Sequence, residues 1–156
     1  FPVHLLNDSK KLSPEKRENI SIIIRHLAMD WATGWAWPGE IDRVNIHHAT
    51  LLAMARAVRG LTLEPHFIYV DGKFVPRVKG ECEAVVKGDT KIHEIMAASI
   101  LAKTARDIWM VQYSQQKPEY EFHLHKGYPT KRHRLLVKKY GISPIHRKSF
   151  KITFPG

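Results

Sequence analysis

Phe67-Ile68-Tyr69-Val70-Asp71-Gly72 is a short apolar run of β-favouring residues closed by an Asp-Gly turn signal. Ala84-Val85-Val86 repeats the pattern further on and stops at Lys87-Gly88-Asp89. From about Ile92 to Gln115 the apolar residues instead recur at helical spacing, which predicts a long helix. Strands that alternate with helices place the chain in the α/β class.

Working outward, Ser13-Pro14-Glu15 combines an N-cap hydroxyl, a proline at the first helical position and an acid in the first turn. Ile20, Ile23, Ile24 and Leu27 continue that helix to about Ala28. Between Trp31 and Trp37 the period falls to two: Trp31, Thr33, Trp35 and Trp37 share one face, which predicts a strand ended by Pro38-Gly39. A further helix carries Ile46, Thr50, Ala53, Met54 and Ala57 on one face and closes at Gly60. Downstream, Thr130 caps a predicted helix bearing Leu135, Leu136 and Tyr140, and the tail from Gly141 is irregular. With no repeat, low-complexity linker or composition break, residues 1–156 read as a single domain.

The charge is unevenly spread. Of 25 basic and 15 acidic side chains, residues 1–100 hold 13 and 12, whereas residues 101–156 hold 12 and 3. A basic concentration of that kind attracts polyanions, nucleic acid above all, although solvated helix faces carry similar charge. The hydrophobic share of 44% and charged share of 26% are those of a globular domain, and no stretch is apolar enough for a membrane span. Phe1-Pro2-Val3-His4 has no secretory pattern, and the single cysteine, Cys82, excludes an internal disulfide; a cytoplasmic protein is the expectation.

Two carboxylates stand out. Asp71 ends a strand expected to be buried, where α/β folds place ligand sites, yet from the dipeptide alone an ordinary Asp-Gly turn is the preferred reading. Asp107 lies on a helix that Ile92, Ile95, Met96, Ile100, Leu101, Ile108 and Trp109 make apolar on most sides, so burial is expected. A buried carboxylate needs a partner. Lys103, one turn earlier, could pair with it, and a hard divalent cation could equally bind it. Other chemistries lack their residues. His47 and His48 are adjacent and so point to different faces, Cys82 has no nucleophile signature, and no Gly-rich phosphate loop occurs.

Several strings resemble the ribonuclease HII family. They are residues 6–13 (Leu-Asn-Asp-Ser-Lys-Lys-Leu-Ser), Glu40-Ile41-Asp42 with Asn45-Ile46 and His48-Ala49-Thr50, and Val70-Asp71-Gly72. Val85-Val86-Lys87-Gly88-Asp89 follows, then residues 97–103 (Ala-Ala-Ser-Ile-Leu-Ala-Lys) running into Arg106-Asp107. His125-Lys126-Gly127-Tyr128-Pro129-Thr130 and His146-Arg147 with Ser149-Phe150 complete the set, in the family's order.

The resemblance implies an RNase H-like fold, a mixed central sheet flanked by helices. It also implies an endonuclease that cuts the RNA strand of RNA–DNA hybrids and at single ribonucleotides embedded in duplex DNA; a monomer is the separate expectation. Its site would gather carboxylates around Mg²⁺ or Mn²⁺ for two-metal hydrolysis, with the third at Asp71 and the fourth at Asp107. Asn7, Ser9, Lys10, Lys126 and Arg147 would contact nucleic acid, and Tyr128 would pack against the sugar at the RNA-to-DNA junction.

The family opens with a strand carrying Asp-Glu-Ala-Gly-Arg-Gly, source of the first two carboxylates, and this sequence has no such string. The expectation is a domain whose first strands are absent from the chain as given. The competing expectation is a catalytically incomplete nucleic-acid-binding module. A third is a basic structural protein of a ribonucleoprotein, with no use for Asp71 or Asp107.

Overall fold

A computed structural model describes Val3, Leu6 and residues 12–153. In chain order the elements are α1 (Pro14–Leu27), α2 (Pro38–Arg59), β1 (Phe67–Asp71), β2 (Glu81–Val85), α3 (His93–Gln116), α4 (Phe122–His125) and α5 (Lys131–Tyr140). Short 3-10 turns occupy Gly88–Thr90 and Pro118–Tyr120. The contacts fall into two compact units, Phe1–Ala36 with His47–Thr104, and Trp37–Ile46 with Ala105–Gly156. No helix among the described residues is long and apolar enough to cross a membrane.

In the first unit the start signal of α1 operates as expected: the Ser13 hydroxyl accepts the Lys16 N–H at 3.3 Å. Its Ile20 and Ile24 meet Ile100 and Leu101 of α3, together with Leu6, in the buried core of this unit. β1 and β2 pair in parallel, Phe67 opposite Glu81 and Asp71 opposite Val85. Among the described residues the sheet has these two strands, so burial is less than the apolar run predicts. Only Val70 of β1 is buried, and Asp71 is exposed.

Trp31–Trp37 is not a strand. Its backbone groups find side-chain partners instead of a ladder. Asp30 accepts the N–H groups of Trp31, Thr62 and Leu63, and Arg56 donates to the Trp35 carbonyl at 2.6 Å. Gly34 explains the geometry: a Cβ there would stand 1.9 Å from the Ala53 carbonyl oxygen, so the segment lies directly on the helix backbone.

α2 also begins earlier than the period suggests. Pro38 supplies a compatible first residue, and Glu40 reaches back to the Trp37 N–H at 3.0 Å. The helix breaks at Asn45 (φ 66, ψ 168), a region normally left to glycine.

In the second unit Met110, Tyr120 and Phe122 form a buried cluster flanked by Trp109, Tyr113 and Ile145. α5 is capped by Thr130 as expected, its hydroxyl accepting the His133 N–H at 3.2 Å. Its buried face is His133, Leu136 and Val137, while Leu135 and Tyr140, expected on the apolar face, are exposed.

Candidate metal centre and nucleic-acid interface

Parallel pairing brings the C-terminal ends of β1 and β2 side by side, with the Gly72 N–H closing the pair onto the Val85 carbonyl at 3.0 Å. Beyond β2 the chain reverses through Lys87, in the left-handed region, and the Gly88 N–H then donates to Asp71 Oδ1 at 2.8 Å. A Cβ at Gly88 would lie 2.4 Å from Ile95 Cδ1, so the Ile95 side chain would have to shift to admit one. The next residue is Asp89, only 6% exposed. The acid whose backbone segment meets Asp71 is therefore Asp89.

By spacing alone Lys87-Gly88-Asp89 is the stop of a strand, and by resemblance part of a family string. Burial of Asp89 and the glycine amide on Asp71 depend on strand pairing, which spacing does not reveal. Asp107 sits on α3 in the second unit and is half-buried, less enclosed than the apolar helix suggested.

Carboxylate oxygens suit a hard divalent cation in donor type. Among the described residues no group of three or more His, Cys, Asp or Glu side chains is gathered closely enough to hold one. Asp71 and Asp89 supply oxygens of that type from adjoining segments, joined by the Gly88 N–H on Asp71.

The second unit contains the Tyr128 turn. Lys126 and Gly127 both adopt positive φ (50° and 78°), and a Cβ on Gly127 would stand 3.0 Å from Met110 Cε. Arg106 donates to the Lys126 carbonyl at 2.8 Å, and its guanidinium lies 5.5 Å from the centre of the Tyr128 ring, which is 48% exposed. The Lys126 ammonium donates to the His123 carbonyl. Arg147 is half-buried with its guanidinium 3.6 Å from the centre of the Phe150 ring. Burial, with Arg106 nearby, lowers its pKa from the usual value. Arg132 of α5 pairs with Glu121 through two hydrogen bonds. The remaining expected contacts, Asn7, Ser9 and Lys10, lie outside the described residues.

A family model described as Ribonuclease HII matches residues 4–153. The chain belongs to the ribonuclease HII family. Members are metal-dependent endoribonucleases acting on the RNA of RNA–DNA hybrids. Among individual relatives, ribonuclease HII of Desulforamulus reducens is 51% identical over 149 residues, covering 96% of this chain and 75% of that protein. Ribonuclease HII of Neisseria meningitidis is 51% identical over 151 residues, 96% of this chain and 78% of that protein. The chain thus spans about three quarters of the length of these relatives. The crystal structure of the ribonuclease H2 from Pyrococcus horikoshii superposes with a TM-score of 0.76 at 25% identity, covering 96% of this chain and 78% of that one. This ribonuclease HII-family chain therefore has the expected RNase H-like α/β fold.

Proposed function

We propose that this protein hydrolyses the RNA strand of RNA–DNA hybrids, and cuts at single ribonucleotides embedded in duplex DNA, with Asp71 and Asp89 holding Mg²⁺ or Mn²⁺. The observation that carries the metal assignment is the Gly88 N–H donated to Asp71 Oδ1 at 2.8 Å, which ties the exposed acid to the segment of a buried one. Asp71 is presented at the C-terminal edge of a parallel pair, where α/β folds collect ligands. Held there, divalent ions supply activation of water and neutralisation of charge on the attacking and leaving oxygens. Asp107, the acid implied by resemblance, is the alternative ligand.

Lys126 and Arg147 hold backbone phosphates in this reading, as do Asn7, Ser9 and Lys10, and such contacts set register rather than sequence. Tyr128 packs on the sugar of the ribonucleotide, and its half-exposed ring supports that role. The excess of base over acid in residues 101–156 supplies the wider attraction for the duplex.

The test is cleavage of a DNA duplex containing one ribonucleotide, with Mn²⁺ or Mg²⁺ against chelator, for the wild type and for Asp71→Asn, Asp89→Asn and Asp107→Asn. Metal-dependent cutting lost in the first two variants and kept in the third supports the assignment. Loss in Asp107→Asn but not Asp89→Asn replaces Asp89 by Asp107. Salt-sensitive binding without any cutting would reduce the chain to a binding module.

A further inference from the structure

Three histidines distant in function from the acidic site converge beneath the Tyr128 turn. His125 and His133 are buried, and their rings stack with centroids 4.1 Å apart and planes 14° apart. His146 lies 3.0 Å from His133, Nε2 to Nε2. Two ring nitrogens facing each other at that distance require one proton between them, so the tautomers are decided by what the other nitrogens touch.

The two ends of the chain answer independently. At one end the Ser143 backbone N–H, which can only donate, points at His146 Nδ1 at 2.9 Å, and the Ser143 hydroxyl, 2.7 Å from the same nitrogen, can turn to donate to it as well. That nitrogen is therefore bare, and in the neutral ring the proton is on Nε2. At the other end His133 Nδ1 lies 2.9 Å from the Tyr128 carbonyl, which can only accept. That nitrogen therefore carries the proton, leaving His133 Nε2 bare. The central contact is then His146 Nε2–H donating to His133 Nε2, and both ends agree on its direction. His125 is fixed in the same way: the Gly127 N–H donates to its Nδ1 at 3.1 Å, and its Nε2–H donates to the Tyr120 carbonyl at 2.7 Å.

The result is a turn whose backbone is held at three consecutive residues by side chains. Arg106 takes the Lys126 carbonyl, His125 takes the Gly127 N–H and His133 takes the Tyr128 carbonyl. Above this base the Tyr128 ring stays half-exposed.

We infer that His133 and His146 are positioning residues for Tyr128, a one-way hydrogen-bond relay from Ser143 that fixes the tyrosine's backbone and works only with neutral imidazoles. This inference rests on the reading of Tyr128 as a contact to the substrate sugar. Adding a proton to His133 Nε2 would set N–H against N–H at the central contact. One on His146 Nδ1 would oppose the Ser143 backbone N–H and turn the Ser143 hydroxyl into an acceptor, so a charged ring displaces a donor of the relay. The surroundings agree. Burial holds the pKa of all three histidines below 6.5, and the His133 charge further lowers those of His125 and His146. Glu121 opposes this at His125, where it favours the charged form, but it also engages Arg132, and His123 acts in the opposite sense. Among the described residues the rings of Tyr120 and Phe122 also pack on the cluster, and the uncharged Ser143 hydroxyl touches His146.

The experiment has two readouts on the full chain. The first is ¹⁵N imidazole NMR of the wild type, where His133 should carry its proton on Nδ1 and His146 on Nε2 at pH 7. A proton on Nε2 of His133 would overturn the relay. The second is a double-mutant cycle in cleavage of the duplex with one ribonucleotide. His133→Phe keeps a ring against Phe122 but removes both hydrogen bonds. It should lower kcat/KM by on the order of tenfold, the scale of a small misplacement. It should add nothing to Tyr128→Ala, and His133→Asn, which restores a donor near the Tyr128 carbonyl, should recover part of the loss. An intact Tyr128→Ala enzyme would overturn the reading of Tyr128 while leaving the NMR result to judge the relay. An impaired Tyr128→Ala enzyme with an unimpaired, or fully additive, His133→Phe would overturn the positioning role itself.

Discussion

Asp42 and Ser149 are joined by two hydrogen bonds to a single carboxylate oxygen: Asp42 Oδ1 accepts the Ser149 backbone N–H at 2.8 Å and its hydroxyl at 2.6 Å. The second oxygen accepts the Lys148 N–H at 2.9 Å. One side chain near the start of α2 thus fixes the backbone just after Arg147, a proposed phosphate contact. Asp42→Ala should leave the fold intact and free this segment. Hydrogen exchange checks it: the Lys148 and Ser149 amides should lose protection while those of α5 keep theirs. The hydroxyl and N–H donors of Ser149 hold the Asp42 pKa below its usual 3.8. The contact is therefore at full strength above about pH 3.8 and weakens as pH falls through the lowered value.

The acidic site gives the plainest functional outcome. Asp71→Asn should reduce metal-dependent cleavage by several hundredfold or more, about the scale of losing a metal-held water or charge stabiliser. Circular dichroism should be unchanged, because the amide oxygen can still accept the Gly88 N–H. A variant that cuts as well as the wild type would remove Asp71 from the reaction.

Gly34→Ala tests the placement of the Trp31–Trp37 segment. The added methyl would meet the Ala53 carbonyl oxygen at 1.9 Å and the Ala57 nitrogen at 2.5 Å, both backbone atoms that cannot swing aside. Overpacking of this sort costs about 1–3 kcal/mol, and backbone collisions lie at the upper end. Urea denaturation should show a lower midpoint; an unchanged midpoint would mean that the segment does not lie on α2.

Phe122 is 1% exposed at the centre of the second unit. Truncation to alanine should cost about 3–5 kcal/mol, the usual price of emptying a phenylalanine site in a core. Chemical denaturation measures it directly, and a loss below about 1 kcal/mol would place Phe122 at a site that collapses freely.

His146 makes stability depend on pH in a defined direction. Its pKa is pushed from 6.5 down to about 4, chiefly by burial and then by the charge of His133. The folded state prefers the neutral ring, so this contribution is complete above pH 6.5 and is lost as pH falls from there toward about 4. Tm should fall over that window in the wild type. In His146→Gln, which has no titrating ring, the fall should be shallower, and an identical profile would show that His146 does not contribute to it.

Local chemistry determined much of this protein. The Ser13-Pro14 and Thr130 caps, the long helix ending at Gln116 and the two strands at Phe67 and Ala84 were legible because caps and periodicity act over a few residues. The family strings, running from residue 6 to residue 150, likewise marked the chain as ribonuclease HII-like without any coordinates. Tertiary structure alone decided the rest. The alternation of Trp31 to Trp37 could not show that Arg56 and Asp30 would take its backbone groups, nor could a strand-stopping Lys87-Gly88-Asp89 show that Gly88 would reach Asp71. Nothing in the spacing of the histidines at 125, 133 and 146 makes them neighbours. Hydrogen-bond partners and burial are set by which distant segments pack together, and those contacts have no period along the chain.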